Sequence, residues 1–149
     1  MITPHAGELE HGQFVKDSVD LLGADRIQHG VRSFEVPGLV EQLAAQRVCL
    51  DVCPTSNVLL GVIPSFAEHP LPALLRSGVP CTINADDPTI LEVGILDEYT
   101  VAREQLGLDD EELAASARTS IQFSALDATA KAHAFDAIET WLTTPGGTA

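Results

Sequence analysis

The sequence predicts an α/β fold with a parallel sheet, and two observations lead to this prediction. Four short segments rich in Val, Ile, Thr and Cys have the composition of buried strands, and each runs into residues that suit a loop. The segments between them repeat apolar residues at helical spacing. Because strands that alternate with helices are typical of repeated strand-helix units, we expect the strands to run parallel.

The strands and the first helices are predicted in the following order. The strands occupy residues 2–5, 26–29, 48–52 and 81–85. The apolar faces of the helices are formed by Val15, Val19 and Leu22, by Val36, Leu39, Val40, Leu43 and Ala44, and, in a shorter helix, by Leu71, Leu74 and Leu75. Gly23 and Gly78 follow two of these patterns where a left-handed residue is often needed, so they are predicted to end those helices.

Three more helices are predicted after the fourth strand. The first contains Leu91, Ile95, Tyr99, Ala102 and Leu106. The second begins with a capping box of Asp109 and Glu112. The third begins near Asp127 and has Phe135, Ile138, Trp141 and Leu142 on one side. We expect residues 1–142 to form one domain and residues 143–149 to be a flexible tail.

A doubly wound sheet and part of a (β/α)8 barrel both fit this alternation. The segments that contain His5, His29 and Asp51 follow one another at nearly equal intervals, and this even repeat favours the barrel. Polar residues also lie at the carboxyl ends of at least three strands, where barrel enzymes place their sites. Because no GxGxxG motif follows a strand, dinucleotide binding is disfavoured.

Composition argues against several classes of function. The formal charge is −14, from 22 acidic and 8 basic side chains, so nucleic acid and anionic membranes are poor partners. The first residues lack the basic start and apolar run of a secretory signal, which predicts a soluble cytoplasmic protein. Cys49, Cys53 and Cys81 form no CxxC pair, so we expect buried thiols and neither a disulfide framework nor a cysteine zinc site.

Five polar residues combine metal-ligand and proton-carrying chemistry with positions at or near strand ends, namely His5, Glu8, His29, Asp86 and Asp87. Hydrolysis of an aromatic amine needs water that is nucleophilic near neutral pH, and zinc meets this need by lowering the pKa of water. His5 and Asp86 offer nitrogen and oxygen ligands that zinc accepts. A carboxylic acid such as Glu8 would protonate a ring nitrogen.

Four motifs stand in order along the chain, HAGE at 5–8, QHG at 28–30, CPTSN at 53–57 and NADDP at 84–88. In order and approximate spacing this set resembles the adenosine deaminase family. The resemblance covers essentially the whole chain as the second half of the family's barrel. It implies that the fold is the C-terminal half of a TIM-type (β/α)8 barrel, strands 5 to 8 with their helices.

The resemblance also implies a role for each matching residue. His5 and Asp86 would ligate zinc, and Glu8 would donate a proton to purine N1. His29 would orient and help deprotonate the attacking water or stabilise the hydroxide, while Asp87 would share a hydrogen bond at purine N7. The implied reaction is attack of zinc-activated water at C6 of an adenine ring, with loss of ammonia to give the 6-oxo purine.

The CPTSN segment has a structural interpretation beside this one. Cys53 precedes Pro54, which favours extended geometry, and Ser56 and Asn57 are expected to hydrogen-bond nearby backbone in a turn. Nothing in the sequence indicates the lowered pKa that would make Cys53 a nucleophile.

The chain departs from the family pattern in two residues and in one whole motif. Gln28 stands where the family usually has glycine, adding bulk and polarity beside His29, and Ala85 stands where it usually has threonine. The family's HxH pair, which supplies two zinc ligands, is absent. The remaining histidines, His11, His69 and His133, are expected to be exposed surface residues.

Two functions of different classes follow. In the first, the chain is half of a deaminase that works with the missing half-barrel, as expected of a fragment, a split gene product or a mis-called start. In the second, it is a noncatalytic half-barrel that persists as a homo-oligomer. For the enzyme, the small-molecule purine substrate is adenosine by default, with adenine and 6-aminodeoxyfutalosine as alternatives.

Overall fold

The computed structural model describes residues 1–144, and four parallel strands form a single sheet in the order β1-β2-β3-β4. The strands are β1 (His5–Ala6), β2 (Arg26–His29), β3 (Cys49–Val52) and β4 (Cys81–Ile83). The helices are α1 (Gly12–Asp20), α2 (Leu39–Gln46), α3 (Pro54–Leu59), α4 (Leu71–Arg76), α5 (Pro88–Leu91), α6 (Ile95–Glu104), α7 (Asp110–Gln122) and α8 (Ala128–Thr143). The α/β class and the parallel pairing are confirmed.

The first strand lies further along the chain than predicted. Its ladder covers only His5 and Ala6, which pair with Gln28 and His29. Residues 2–4 still run beside β2, because the carbonyl of Pro4 accepts the N–H of Gln28 at 2.9 Å. Pro4 has no N–H to give back, so this part of the predicted strand does not complete a ladder.

The core lies between the sheet and the helices packed on it. Ile27, Leu50 and Ile83 contribute the strand side of this cluster, and Leu43 and Leu74 contribute the helix side. All five are at most 2% exposed. Complete burial of one such side chain is worth about 1.5 to 3 kcal/mol, so this layer supplies much of the stability that fixes the sheet edge.

The opposite face of the sheet carries a buried polar network centred on Asp51 of β3. Its carboxylate accepts hydrogen bonds from Arg26 Nε at 2.9 Å, Gln28 Nε2 at 2.9 Å and Thr82 Oγ1 at 2.6 Å. In the sheet register Gln28 lies between His5 of β1 and Asp51 of β3. Its amide donates to Asp51, and the expectation that Gln28 adds polarity beside His29 stays a prediction.

Several helix boundaries differ from the sequence prediction. Leu22 lies beyond the end of α1 and is 55% exposed. The single helix predicted from Leu91 to Leu106 is two helices, α5 and α6. Glu92 ends α5 with a left-handed φ of 56°, and Gly94 is the N-cap of α6. Leu106 falls outside α6.

Other local predictions are confirmed. Gly23 and Gly78 have φ of 65° and 83° after α1 and α4. Asp109 Oδ1 accepts the N–H of Glu112 at 2.9 Å, and Glu112 Oε2 accepts the N–H of Asp109 at 3.1 Å. Helix α8 follows its N-cap, Asp127, and reaches Thr143, so most of the predicted tail lies outside the described residues. Within residues 1–144, no helix is long and apolar enough to cross a membrane.

Candidate active site

The candidate site lies where the strands reach the same edge of the sheet. His5 begins β1, His29 ends β2, and Asp86 follows β4. The rings of His5 and His29 have centroids 5.6 Å apart. Parallel strands present their carboxyl ends at one edge, which is why residues far apart in the sequence meet here.

Glycines permit the tight backbone turns that carry two of the motifs. Gly7 has φ +65°, and a Cβ there would lie 2.4 Å from a methyl of Val15. Gly30 has φ +66°, and a Cβ there would lie 2.6 Å from a methyl of Leu50. Both backbones therefore pass too close to the core for any side chain, and this holds the HAGE and QHG turns in place.

His29 and Asp86 both have left-handed backbones, with φ of 66° and 57°. Residues other than glycine seldom adopt this conformation, and it persists only where the surroundings determine it. Strained residues of this kind concentrate at functional sites. Two of the five selected residues share this conformation with Arg47 and Glu92, which end helices α2 and α5.

His29 is 2% exposed and lies between polar groups on two sides. Its Nε2 is 3.5 Å from Glu8 Oε2, and its Nδ1 is 3.1 Å from the side-chain nitrogen of Asn57. Burial lowers the pKa of His29, while the nearby carboxylates of Glu8 and Asp86 oppose this shift. Burial thus favours the neutral imidazole, which retains a nitrogen lone pair.

Asp86 is exposed, but one of its oxygens is held by a buried group. Ser56 Oγ donates to Asp86 Oδ2 at 2.6 Å, and Ser56 is fully buried. A carboxylate oriented by a buried hydroxyl has the kind of outer support that metal ligands usually receive.

The CPTSN segment differs from its predicted turn. Pro54 begins α3, and Ser56 and Asn57 lie inside this helix. Their side chains bond Asp86 and His29 rather than nearby backbone. Sequence reasoning therefore noticed both residues but missed their contacts, which join segments about thirty positions apart.

His69 is the residue most clearly mispredicted. It is 5% exposed instead of lying on the surface, and its Nε2 is 3.3 Å from Asn57 Oδ1. The only sequence signal for burial was its place just before Pro70 and an apolar helix. His11, in contrast, has a side chain that is 81% exposed, and His133 is also exposed, as predicted.

Asp87 caps a helix. Its Oδ1 accepts the N–H groups of Thr89 and Ile90, each at 3.2 Å, at the start of α5. Its side chain is exposed beside Asp86, and its predicted contact with purine N7 stays a prediction.

One group of potential metal ligands lies within 4.8 Å among the described residues, namely His29, Cys53 and Asp86. Burial and the carboxylates of Asp86 and Glu98 raise the pKa of the Cys53 thiol. A protonated thiol is a weak nucleophile. Imidazole nitrogen and carboxylate oxygen fit zinc, and Cys53 is not a nucleophile.

The three cysteines are free and buried, as predicted. Burial raises the pKa of the Cys49 thiol to about 12, and it also raises the pKa of the Cys81 thiol. Uncharged thiols of this kind pack as small apolar groups.

Comparison with known proteins gives a consistent result. The adenosine deaminase family model matches residues 1–141. An aminodeoxyfutalosine deaminase of Streptomyces coelicolor is 43% identical over 93% of this chain and 36% of its own length. The structure of an adenine deaminase from Arthrobacter aurescens superposes with a TM-score of 0.90 at 33% identity, over 95% of this chain and 43% of that one.

A zinc-bound amidohydrolase from Burkholderia ambifaria superposes with a TM-score of 0.79 at 25% identity, over 94% of this chain and 42% of that one. The chain thus spans well under half the length of these relatives. The family model covers nearly the whole chain. The chain belongs to the adenosine deaminase family.

Proposed function

We propose that this chain is the C-terminal half, strands 5 to 8, of a zinc-dependent barrel that hydrolyses the amino group at C6 of an aminopurine. The observation that carries the proposal is the meeting of Glu8, His29 and Asp86 at one edge of the sheet. Glu8 Oε2 lies 3.5 Å from His29 Nε2, and Asp86 belongs to the potential ligand group that contains His29.

Each residue has a task that its surroundings support. Asp86, oriented by Ser56, and His5 would hold zinc. Glu8 has a side chain that is 16% exposed, so it is partly shielded from water yet still open to a ligand, as a proton donor to a ring nitrogen must be. His29 would orient the attacking water through a buried imidazole.

Zinc, when bound, would supply the Lewis acidity that brings the pKa of water toward neutrality. A catalytic zinc site usually has three protein ligands, and the motifs that resemble the family imply two in this chain, His5 and Asp86. We therefore propose that the remaining ligands come from an HxH strand outside these residues. We call the complex of this chain with a polypeptide that carries the HxH strand the assembled protein.

The substrate is proposed as an aminopurine whose ring is read by Glu8 and Asp87. The names of two relatives favour adenine and 6-aminodeoxyfutalosine as the first compounds to test. Adenosine, the default from the sequence, stays a prediction.

The test is ammonia release by the assembled protein from adenine, adenosine and 6-aminodeoxyfutalosine. Glu8→Gln should lower the rate about 100-fold or more, since general acid catalysis contributes about that much. Glu10→Gln is the matched control, because Glu10 is an exposed carboxylate two positions away and should keep the rate. Equal rates for Glu8→Gln and the unmodified protein would contradict the assignment of Glu8.

A further inference from the structure

A line of three hydrogen bonds runs from the start of α4 to His29, and the other ring nitrogen of His29 lies near Glu8. The N–H of Leu71 donates to His69 Nδ1 at 3.2 Å, and His69 Nε2 is 3.3 Å from Asn57 Oδ1. The side-chain nitrogen of Asn57 is 3.1 Å from His29 Nδ1, and His29 Nε2 is 3.5 Å from Glu8 Oε2.

The first member of the line fixes the direction of every other bond. A backbone N–H can only donate, so His69 Nδ1 accepts and carries no proton. Neutral His69 then has its proton on Nε2 and donates to Asn57 Oδ1. The remaining side of the Asn57 amide is its NH2 group, which donates to His29 Nδ1. In neutral His29 the proton therefore sits on Nε2, facing Glu8.

Burial protects this pattern from solvent. Asn57 is fully buried, and His69 and His29 are 5% and 2% exposed. Burial also lowers the pKa of His69 to about 4, so His69 is neutral at physiological pH and keeps its single donor. A rotated Asn57 amide would place an NH2 group against the Nε2–H of His69 and leave two buried donors facing each other, which is costly.

We propose that His69 is a positioning residue that, through Asn57, holds His29 in the tautomer with its proton on Nε2. The meaning of this proton for catalysis rests on the proposed function. There, neutral His29 presents a hydrogen-bond donor to the attacking oxygen, so it orients that oxygen and stabilises its negative charge. It does not take a proton from the water in this form, because its only lone pair is directed at Asn57.

The test is two-bond ¹H–¹⁵N correlation NMR of the imidazoles in the 149-residue chain at neutral pH. The spectrum separates the tautomers, because the protonated ring nitrogen resonates upfield of the bare one. We expect His29 to be a single Nε2–H tautomer in the unmodified chain. A spectrum with the proton of His29 on Nδ1 would overturn the proposal.

Two substitutions at His69 separate hydrogen bonding from packing. His69→Gln keeps a nitrogen donor at the position of Nε2, removes the His69 signal for assignment, and should leave His29 unchanged. His69→Asn keeps an acceptor for Leu71 but loses the donor to Asn57, so His29 should become a mixture of both tautomers. A His29 signal that is the same in the Asn variant as in the unmodified chain would refute the proposed line.

The unmodified chain and the Gln variant decide the matter even if the Asn variant fails to fold. The readout is also independent of activity. An assembled protein without deaminase activity but with His29 protonated on Nε2 would contradict the proposed function alone. An active protein with His29 protonated on Nδ1 would contradict only the role of His69.

Discussion

Acidification should destabilise the chain through His69, and the structure gives the size of this effect. His69 is 5% exposed, and burial lowers its pKa from 6.5 to about 4. The folded state therefore resists protonation of a group that the unfolded chain protonates readily. The stability associated with neutral His69 is fully present above pH 6.5 and is lost as the pH falls from there toward about 4.

The difference between these two pKa values corresponds to about 3 kcal/mol in full. Between about pH 7.5 and about pH 4.5, the free energy of unfolding should fall by about 2.5 kcal/mol on account of His69 alone. With a urea dependence of about 1 to 3 kcal/mol per molar, the unfolding midpoint should move by about 0.8 to 2.5 M.

The assay is urea unfolding of the unmodified chain and of His69→Gln at both pH values. Carboxylates titrate in both proteins, so the contribution of His69 is the difference between their pH dependences. His133→Gln is the matched control, because His133 is exposed and should leave the pH dependence unchanged. An identical pH dependence for the unmodified chain and His69→Gln would show that His69 is not the source of the acid destabilisation.

Three further substitutions test other parts of the site. Ser56→Ala should weaken zinc binding by the assembled protein about 10- to 100-fold in a chelator competition, because Asp86 loses the donor at 2.6 Å. Burial raises the pKa of Glu98, so the stability that its protonated form contributes is present at low pH and lost as the pH rises. Glu98→Gln should therefore unfold at a higher urea concentration than the unmodified chain at neutral pH, but not in acid. Gln28→Gly should cost about 1 to 2 kcal/mol of unfolding free energy, since Asp51 loses a hydrogen bond and the strand gains a glycine.

The strands were predictable because burial on the core face selects their composition. The prediction for residues 26–29 coincides with β2, and those for residues 48–52 and 81–85 contain β3 and β4. Helix ends were less predictable. The left-handed conformation of Glu92, which separates α5 from α6, has no strong sequence signal, because glutamate seldom adopts it.

Site residues at strand ends were also predictable in part. His29 and Asp86 meet because parallel strands end at one edge, and this follows from strand order alone. The roles of Asn57 and His69 were not predictable, since their contacts depend on how α3 and the start of α4 pack together.

The measurement that tests the central proposal most directly is ammonia release from aminopurines by the chain before and after a polypeptide with an HxH strand is added. Zinc content is measured on the same samples. We expect about one zinc per complex and aminopurine-dependent ammonia release to appear together, only in the assembled protein. Two halves that associate stably in the presence of zinc and still release no ammonia would contradict it.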